Sequence, residues 1–344
     1  MATVFPAKDR FVIDAAGLRA DFETFAAVLR ARTSVRVTDF ELIRKGQGNI
    51  FRLDSSSGSY ALNILFVPGY PRKKQFEFVY GLLDENSIEH PRLEYFDESP
   101  ELFPYGFMVH SWTPGLDAEH QGTDWLDSLI DALAPLHKVP ADAFWSSTGF
   151  RYQSLKSYMT HVFDEIEHSF GDGLLKPCRI VGLEDAGIVQ AGELEALRSL
   201  IGKLSDLITE ELGDVQPCLL HGDPLPGNLI IRDEENPSWI DWSESRMGWW
   251  PFDLARLLYY YKDARIFERF IQKKAQGTGI NAIARYVAFE HVRQDLRQLF
   301  LIGFRNYNDS SELQGPAQVI LKRIHKRLDI VLGRGIDYEK LISL

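Results

Sequence analysis

The sequence predicts an α+β fold in two parts, a small antiparallel sheet with one helix followed by a larger, mainly helical region. Three observations carry this. Residues 40–66 read as strands separated by turns, apolar spacing switches to a helical period from Asp124 onward, and one short strand–turn–strand stretch interrupts the helices. The 344 residues, 45% of them hydrophobic and 25% charged, are enough for two lobes with sizeable cores.

In chain order, FELIRKGQGNIFRLDSSSGSYALNILF places a glycine-rich turn at Gly46 and Gly48 and a polar turn at residues 55–59. After the break marked by Pro68 and Pro71, RKKQFEFVYGLLDEN has helical spacing, and PRLEYFD and YGFMVHSW read as two further strands. Beyond Asp124, Trp125, Leu129, Leu133 and Leu136 share a helical stripe that Pro135 bends or ends. Residues 193–212 carry Leu197, Leu200, Ile201, Leu204, Leu207 and Ile208 on one face, and residues 281–333 hold two more long helical patterns. The interruption, PCLLHGDPLPGNLIIRDEENPSWIDWSES, reads as loop, strand, turn and strand, a hairpin among helices.

Composition narrows the function. A net charge of -11 gives no general attraction to nucleic acid or to an anionic membrane. Cys178 and Cys218 are too few for a disulfide framework and suit a reducing compartment as buried apolar fillers. No apolar run approaches a membrane span, and MATVFPAKDR lacks the pattern of a secretion signal, so a cytoplasmic location is expected. No exposed heptad run forces an oligomer, which leaves monomer or homodimer.

Chemistry concentrates in the interruption. Asp223, Asn228 and Asp241 stand at or beside the ends of the apolar runs LLH, LII and SWI. Two carboxylates and a carboxamide are hard oxygen ligands, suited to magnesium, which commonly takes one or two carboxylates together with substrate phosphates. Such a set points to a nucleotide and to phosphoryl transfer, which needs an oriented hydroxyl, neutralised phosphate charge and in-line geometry. Asp and Asn also serve as plain turn and cap residues.

The run HGDPLPGN, with Asp223 and Asn228 five apart, followed by IDW containing Asp241 and then by PFDLA, resembles the catalytic core of the aminoglycoside phosphotransferase and choline kinase superfamily, which is related to the protein kinases. The resemblance implies a protein-kinase-like two-lobe fold. Residues 1–111 would form a nucleotide-binding lobe after an N-terminal helical segment, and 112–344 a helical lobe with the catalytic loop and acceptor site. It implies that Asp223 orients the acceptor hydroxyl, that Asn228 and Asp241 hold Mg2+, that Asp253 braces the catalytic loop, and that His221 is structural there. RKGQGNIFRL occupies the place of a phosphate-covering turn, with Lys45, Gly46 and Gly48, and Glu77 falls where the family's first helix carries a glutamate. IDWSES is similar to hygromycin kinases, in a run too short to transfer a substrate.

Asn63 in SYALNILF departs from the family, which places there a lysine that bridges the nucleotide phosphates and pairs with the helix glutamate. Lys45 or Arg44 could supply the missing charge, with Lys73 and Lys74 more remote. The implied reaction moves the terminal phosphate of ATP or GTP to a hydroxyl of a small molecule, a cationic acceptor such as an aminoglycoside, an amino alcohol or a sugar derivative in scope. The alternative is a nucleotide-binding pseudokinase weakened at Asn63. A two-metal phosphoesterase built on His221 lacks further His and Asp ligands. Several assignments stay two-sided. Gly46 and Gly48 also fit an ordinary hairpin turn, and Glu77 a solvated helix face. Glu244 is either an acceptor contact or a loop carboxylate, and Trp249, Trp250 and residues 259–261 either packing or a substrate cage.

Overall fold

The computed structural model describes residues 22–33, 35–44, 49–65, 73–99, 102–103, 105–120, 125–145, 151–164, 166, 183–184, 187, 189–212, 215–232, 237–275, 279–305, 314–333 and 335–344. The chain divides into two compact units, Met1–Gln121 with Leu229–Ser243, and Gly122–Asn228 with Glu244–Leu344.

In the first unit, strands β1 (Val37–Arg44), β2 (Asn49–Ser55) and β3 (Gly58–Ile64) join β4 (Leu93–Asp97) and β5 (Phe107–Ser111) in an antiparallel sheet ordered β1-β2-β3-β5-β4. Alternate residues of these strands enter one core. Phe40, Phe51, Leu53, Leu62, Ile64, Phe107 and Val109 cluster with Phe25 and Leu29 of helix α1 (Phe22–Arg32) and with Phe103. The opposite face, with Phe96 and His110, meets Phe76 and Tyr80 of helix α2 (Lys73–Glu85). Strand β6 (Leu116–Asp117) pairs with β10 (Leu229–Ile231), which pairs with β11 (Pro237–Trp239). That pairing places the hairpin in the first unit, a grouping no linear division of the chain expresses.

The second unit holds a four-stranded sheet ordered β8-β7-β12-β9, with β7 (Phe144–Trp145), β8 (Arg151–Tyr152), β9 (Cys218–Leu220) and β12 (Arg246–Gly248). Around it lie helices α3 (Trp125–Leu133), α4 (Leu155–Thr160), α5 (Glu193–Leu212), α6 (Pro251–Tyr261), α7 (Ala264–Lys274), α8 (Ile280–Arg305), α9 (Gln314–Leu332) and α10 (Tyr338–Ser343). Pro135 ends α3 as the spacing predicts, and the chain continues as a 3-10 turn over Leu136–Lys138. On α5, Leu194, Leu197, Ile201, Leu204 and Ile208 are buried, whereas Leu200 and Leu207 are only half-buried at the stripe's edge. No described helix is long and apolar enough to cross a membrane. Cys218 is buried, and burial pushes its thiol up to about 12, which makes it inert. Cys178 lies outside the described residues.

Candidate active site

The second unit builds a loop directly after β9. His221 is fully buried, its N–H donates to Asp253 Oδ2 at 3.2 Å, and the Gly222 N–H donates to Asp253 Oδ1 at 2.9 Å. The His221 carbonyl accepts the Ser245 hydroxyl at 3.1 Å, and its Nδ1 accepts the Asp223 N–H at 3.3 Å. Gly222 has φ 85°, a left-handed conformation, and a Cβ there would lie 2.0 Å from the Glu244 carbonyl oxygen. The loop is therefore tied down at consecutive residues just before Asp223.

Asp253, in the first turn of α6 after Pro251, is itself fully buried. Its third donor is His137 Nε2 at 2.9 Å, while His137 Nδ1 contacts the ammonium of Lys274. That arrangement fits a neutral imidazole protonated at Nε2. Burial alone would raise the Asp253 pKa, but the His137 hydrogen bond, the electrostatic pull of the His137 and His221 rings and the Gly222 N–H bring it below the usual carboxylate value. Burial lowers His137, and lowers Lys274 to about 8.

Both oxygens of Asp223 are held. Arg256 Nη2 donates to Oδ1 at 2.7 Å, and Asn228 Nδ2 donates to Oδ2 at 3.2 Å and to the Asp223 carbonyl at 2.9 Å. Asn228 closes the 3-10 turn Pro226–Asn228, and its amide nitrogen faces Asp223. The carboxamide oxygen is thus the atom it can offer to a cation.

In the first unit, Asp241 follows β11 with φ 60°, an uncommon conformation for a residue bearing a side chain, and Oδ1 accepts the Ser243 hydroxyl at 2.7 Å. The hairpin register sets Leu229 opposite Trp239, and Asp241 follows two residues after β11. Tyr80 of α2 has its pKa raised, by burial first and by the Asp241 charge second. Asn63 pairs with Ile50 and Met108 and points to the same sheet face as Ala61, whose partner His110 touches Phe76. Glu77 is exposed and lies 3.9 Å from Lys73, since α2 turns Phe76, Val79, Tyr80 and Leu83 inward. Among the described residues no hydrogen bond or ion pair joins Glu77 to Asn63. Lys45, Gly46 and Gly48 lie outside the described residues.

Glu244 lies 3.4 Å from Arg297 and 3.8 Å from Arg246. Trp249 is buried edge-on against Tyr286 at 4.9 Å, and Trp250 stacks on Phe270 at 6.4 Å, which is packing rather than a cage. The sequence reading missed Arg256 and the His137 link to Asp253. For Arg256 a signal existed, a lone arginine in the apolar helix PFDLARLLYYY three residues after Asp253.

The profile of the phosphotransferase enzyme family matches residues 39–289. No curated protein matches the chain. Among solved structures, aminoglycoside phosphotransferase APH(4)-Ia has a TM-score of 0.59 at 14% identity, covering 88% of this chain and 98% of its own. Spectinomycin phosphotransferase APH(9)-Ia, solved with ADP and spectinomycin, has a TM-score of 0.54 at 13% identity over 93% of this chain and 98% of its own. A putative aminoglycoside phosphotransferase from Ralstonia eutropha JMP134 has a TM-score of 0.54 at 14% identity, with the same coverages of 93% and 98%.

Proposed function

The chain belongs to the phosphotransferase enzyme family, and from that premise we propose that it transfers the terminal phosphate of ATP or GTP to a hydroxyl of a small molecule. The observation that carries the reading is the immobilised Asp223, its loop tied to Asp253 and its carboxylate held by Arg256 and Asn228. A carboxylate fixed in this way can accept a hydrogen bond from an acceptor hydroxyl and aim its oxygen at phosphorus. The acceptor oxygen then bonds to the γ-phosphorus, the bond to the β,γ-bridging oxygen breaks, nucleoside diphosphate leaves, and the hydroxyl proton passes toward Asp223.

The donor set fits magnesium. Each of the two proposed holders, Asn228 through Oδ1 and Asp241 through its carboxylate, offers a hard oxygen that suits this ion. When bound, magnesium supplies positive charge to the phosphate oxygens. His221 and Asp253 hold the loop and touch no reacting atom in this reading. The protein is assigned to the cytoplasm as a monomer or homodimer.

A second reading, a nucleotide-binding pseudokinase, draws on Asn63, which brings no charge, and on Glu77, which pairs with Lys73 at the surface. The deciding experiment is a thermal-shift titration with ATP and GTP, with and without magnesium, on the wild type and Asp241→Ala. A ligand at a hundredfold its Kd stabilises by about 2.7 kcal/mol, which is readily seen. A magnesium-dependent rise that Asp241→Ala abolishes supports the phosphotransferase site. No rise with either nucleotide at millimolar concentration gives the lead to the pseudokinase.

A further inference from the structure

We propose that Lys274 is a positioning residue for the transfer step: through His137, its ammonium keeps Asp253 clamped on the two loop amides that seat Asp223. The proposal rests on the phosphotransferase reading. Its basis is an unbroken line of contacts inside the second unit. The Lys274 ammonium meets His137 Nδ1, His137 Nε2 meets Asp253 Oδ2 at 2.9 Å, and Asp253 accepts the N–H groups of His221 and Gly222 at 3.2 and 2.9 Å. Asp223 is the next residue in the chain. An ammonium only donates, so His137 Nδ1 is the acceptor and the ring hydrogen sits on Nε2, facing the carboxylate.

Helix α7 delivers this ammonium. Phe270 and Lys274 lie four apart on one helix face, and Phe270 is fully buried, stacked on Trp250, whose ring is 6.5 Å from that of His137. The neighbouring Lys273 pairs with Asp127 and Asp131 at 3.4 and 2.8 Å. Lys274 is half-buried, and among the described residues it makes no salt bridge with a carboxylate. An ammonium withdrawn from water without a carboxylate partner is costly unless its charge serves a buried anion nearby. Asp253 is that anion, fully buried and bonded to three neutral donors. Lys274 balances its charge across the imidazole and fixes the tautomer that donates to it. Burial lowers the Lys274 pKa to about 8, while Asp253, Cys218 and Asp131 pull it upward and Lys138 downward. With His137, these are the titratable groups facing it from α6, β9, α3 and the 3-10 turn. The ammonium is present at neutral pH and is lost as pH rises through about 8.

The test is a pH–rate profile between about pH 6.5 and 9.5 with labelled magnesium ATP on the full chain, as wild type, Lys274→Met and Lys274→Arg. Water, choline, glucosamine and kanamycin serve as acceptors. Wild-type kcat is expected to fall above about pH 8. Lys274→Met should lower kcat about tenfold at neutral pH, leave the KM for ATP within about twofold and lose that alkaline limb. Lys274→Arg, charged across the whole range, should restore most of kcat and move the limb upward. Amide exchange at His221 and Gly222 follows the clamp without any acceptor. At one pH, Lys274→Met should exchange there about tenfold faster than the wild type, and Lys274→Arg near the wild-type rate. A Lys274→Met variant with wild-type kcat and protection, or an alkaline limb that all three proteins share, overturns the proposal. Without turnover on any acceptor the phosphotransferase reading falls and takes the catalytic role of Lys274 with it, and equal exchange rates in the three proteins overturn the clamp itself.

Discussion

Gly222 occupies a backbone conformation, φ 85°, that places the Asp223 side chain where Arg256 and Asn228 meet it, and no other residue fits there. A methyl group would lie 2.0 Å from the Glu244 carbonyl, which is backbone and cannot swing away. Gly222→Ala is therefore expected to destabilise the protein by at least about 2 kcal/mol, from left-handed strain and the clash together, as read by urea unfolding. Arg256 acts on the same carboxylate from the other side. Burial lowers its pKa, but the charges of Asp223 and Glu244 outweigh burial and the net direction is upward, so the guanidinium stays charged. Arg256→Gln should leave the magnesium-dependent nucleotide shift intact and lower phosphate transfer about ten- to a hundredfold, because the hydroxyl is then poorly aimed. Lost nucleotide binding in that variant would show that Arg256 holds the fold rather than Asp223.

At the scale of elements, the β10–β11 hairpin is held to its unit by the two-residue strand β6, and Gly115 permits the close approach. Gly115 has φ 135°, and a Cβ there would sit 2.7 Å from the Ile231 carbonyl oxygen. Gly115→Ala should push β6 off β10, lower stability by at least about 2 kcal/mol and weaken the magnesium-dependent nucleotide shift, since Asp241 leaves from that hairpin. Unchanged nucleotide binding in a destabilised variant would separate the hairpin's position from the site. Most of these elements were legible in the sequence. Strand alternation in residues 40–64, the stripe on α5 and the stop at Pro135 are local patterns, and HGDPLPGN, IDW and PFDLA locate the loop by their spacing. Contacts between distant residues were not legible. Arg256 meets Asp223 across 33 residues and His137 meets Asp253 across 116, separations that no local period reports. Glu77 shows the converse. Its motif position suggested a functional pair, but helical phase puts Phe76 and Tyr80 inward and Glu77 outward.

Across the whole molecule, buried histidines link stability to proton uptake in both units. His110 in the first unit is pushed down to about 4 by burial first and the neighbouring His90 second. In the second unit, burial and the nearby cations Arg327, Lys262 and Arg323 bring His291 down to about 3, against a weaker pull upward from the Ala255 carbonyl. His137 is lowered as well. All three folded values lie below the unfolded value of about 6.5, so below that pH the unfolded chain binds protons that the folded chain refuses. Stability is therefore greatest above about pH 6.5 and falls as pH drops toward 4, each such histidine contributing up to about 1.4 kcal/mol per pH unit. Carboxylates with depressed values, such as Asp127 at about 2, act in the same direction only under more acid conditions, which keeps the two effects apart. Urea unfolding at pH 7.5 and pH 5 should show a loss of about 2 kcal/mol or more in the wild type. His110→Phe and His291→Gln should each shrink that loss, the first in the unfolding of the N-terminal sheet and the second in that of the helical unit. Equal wild-type stability at the two pH values would mean that these imidazoles reach solvent or a proton partner, and the buried, neutral assignment would fall with it.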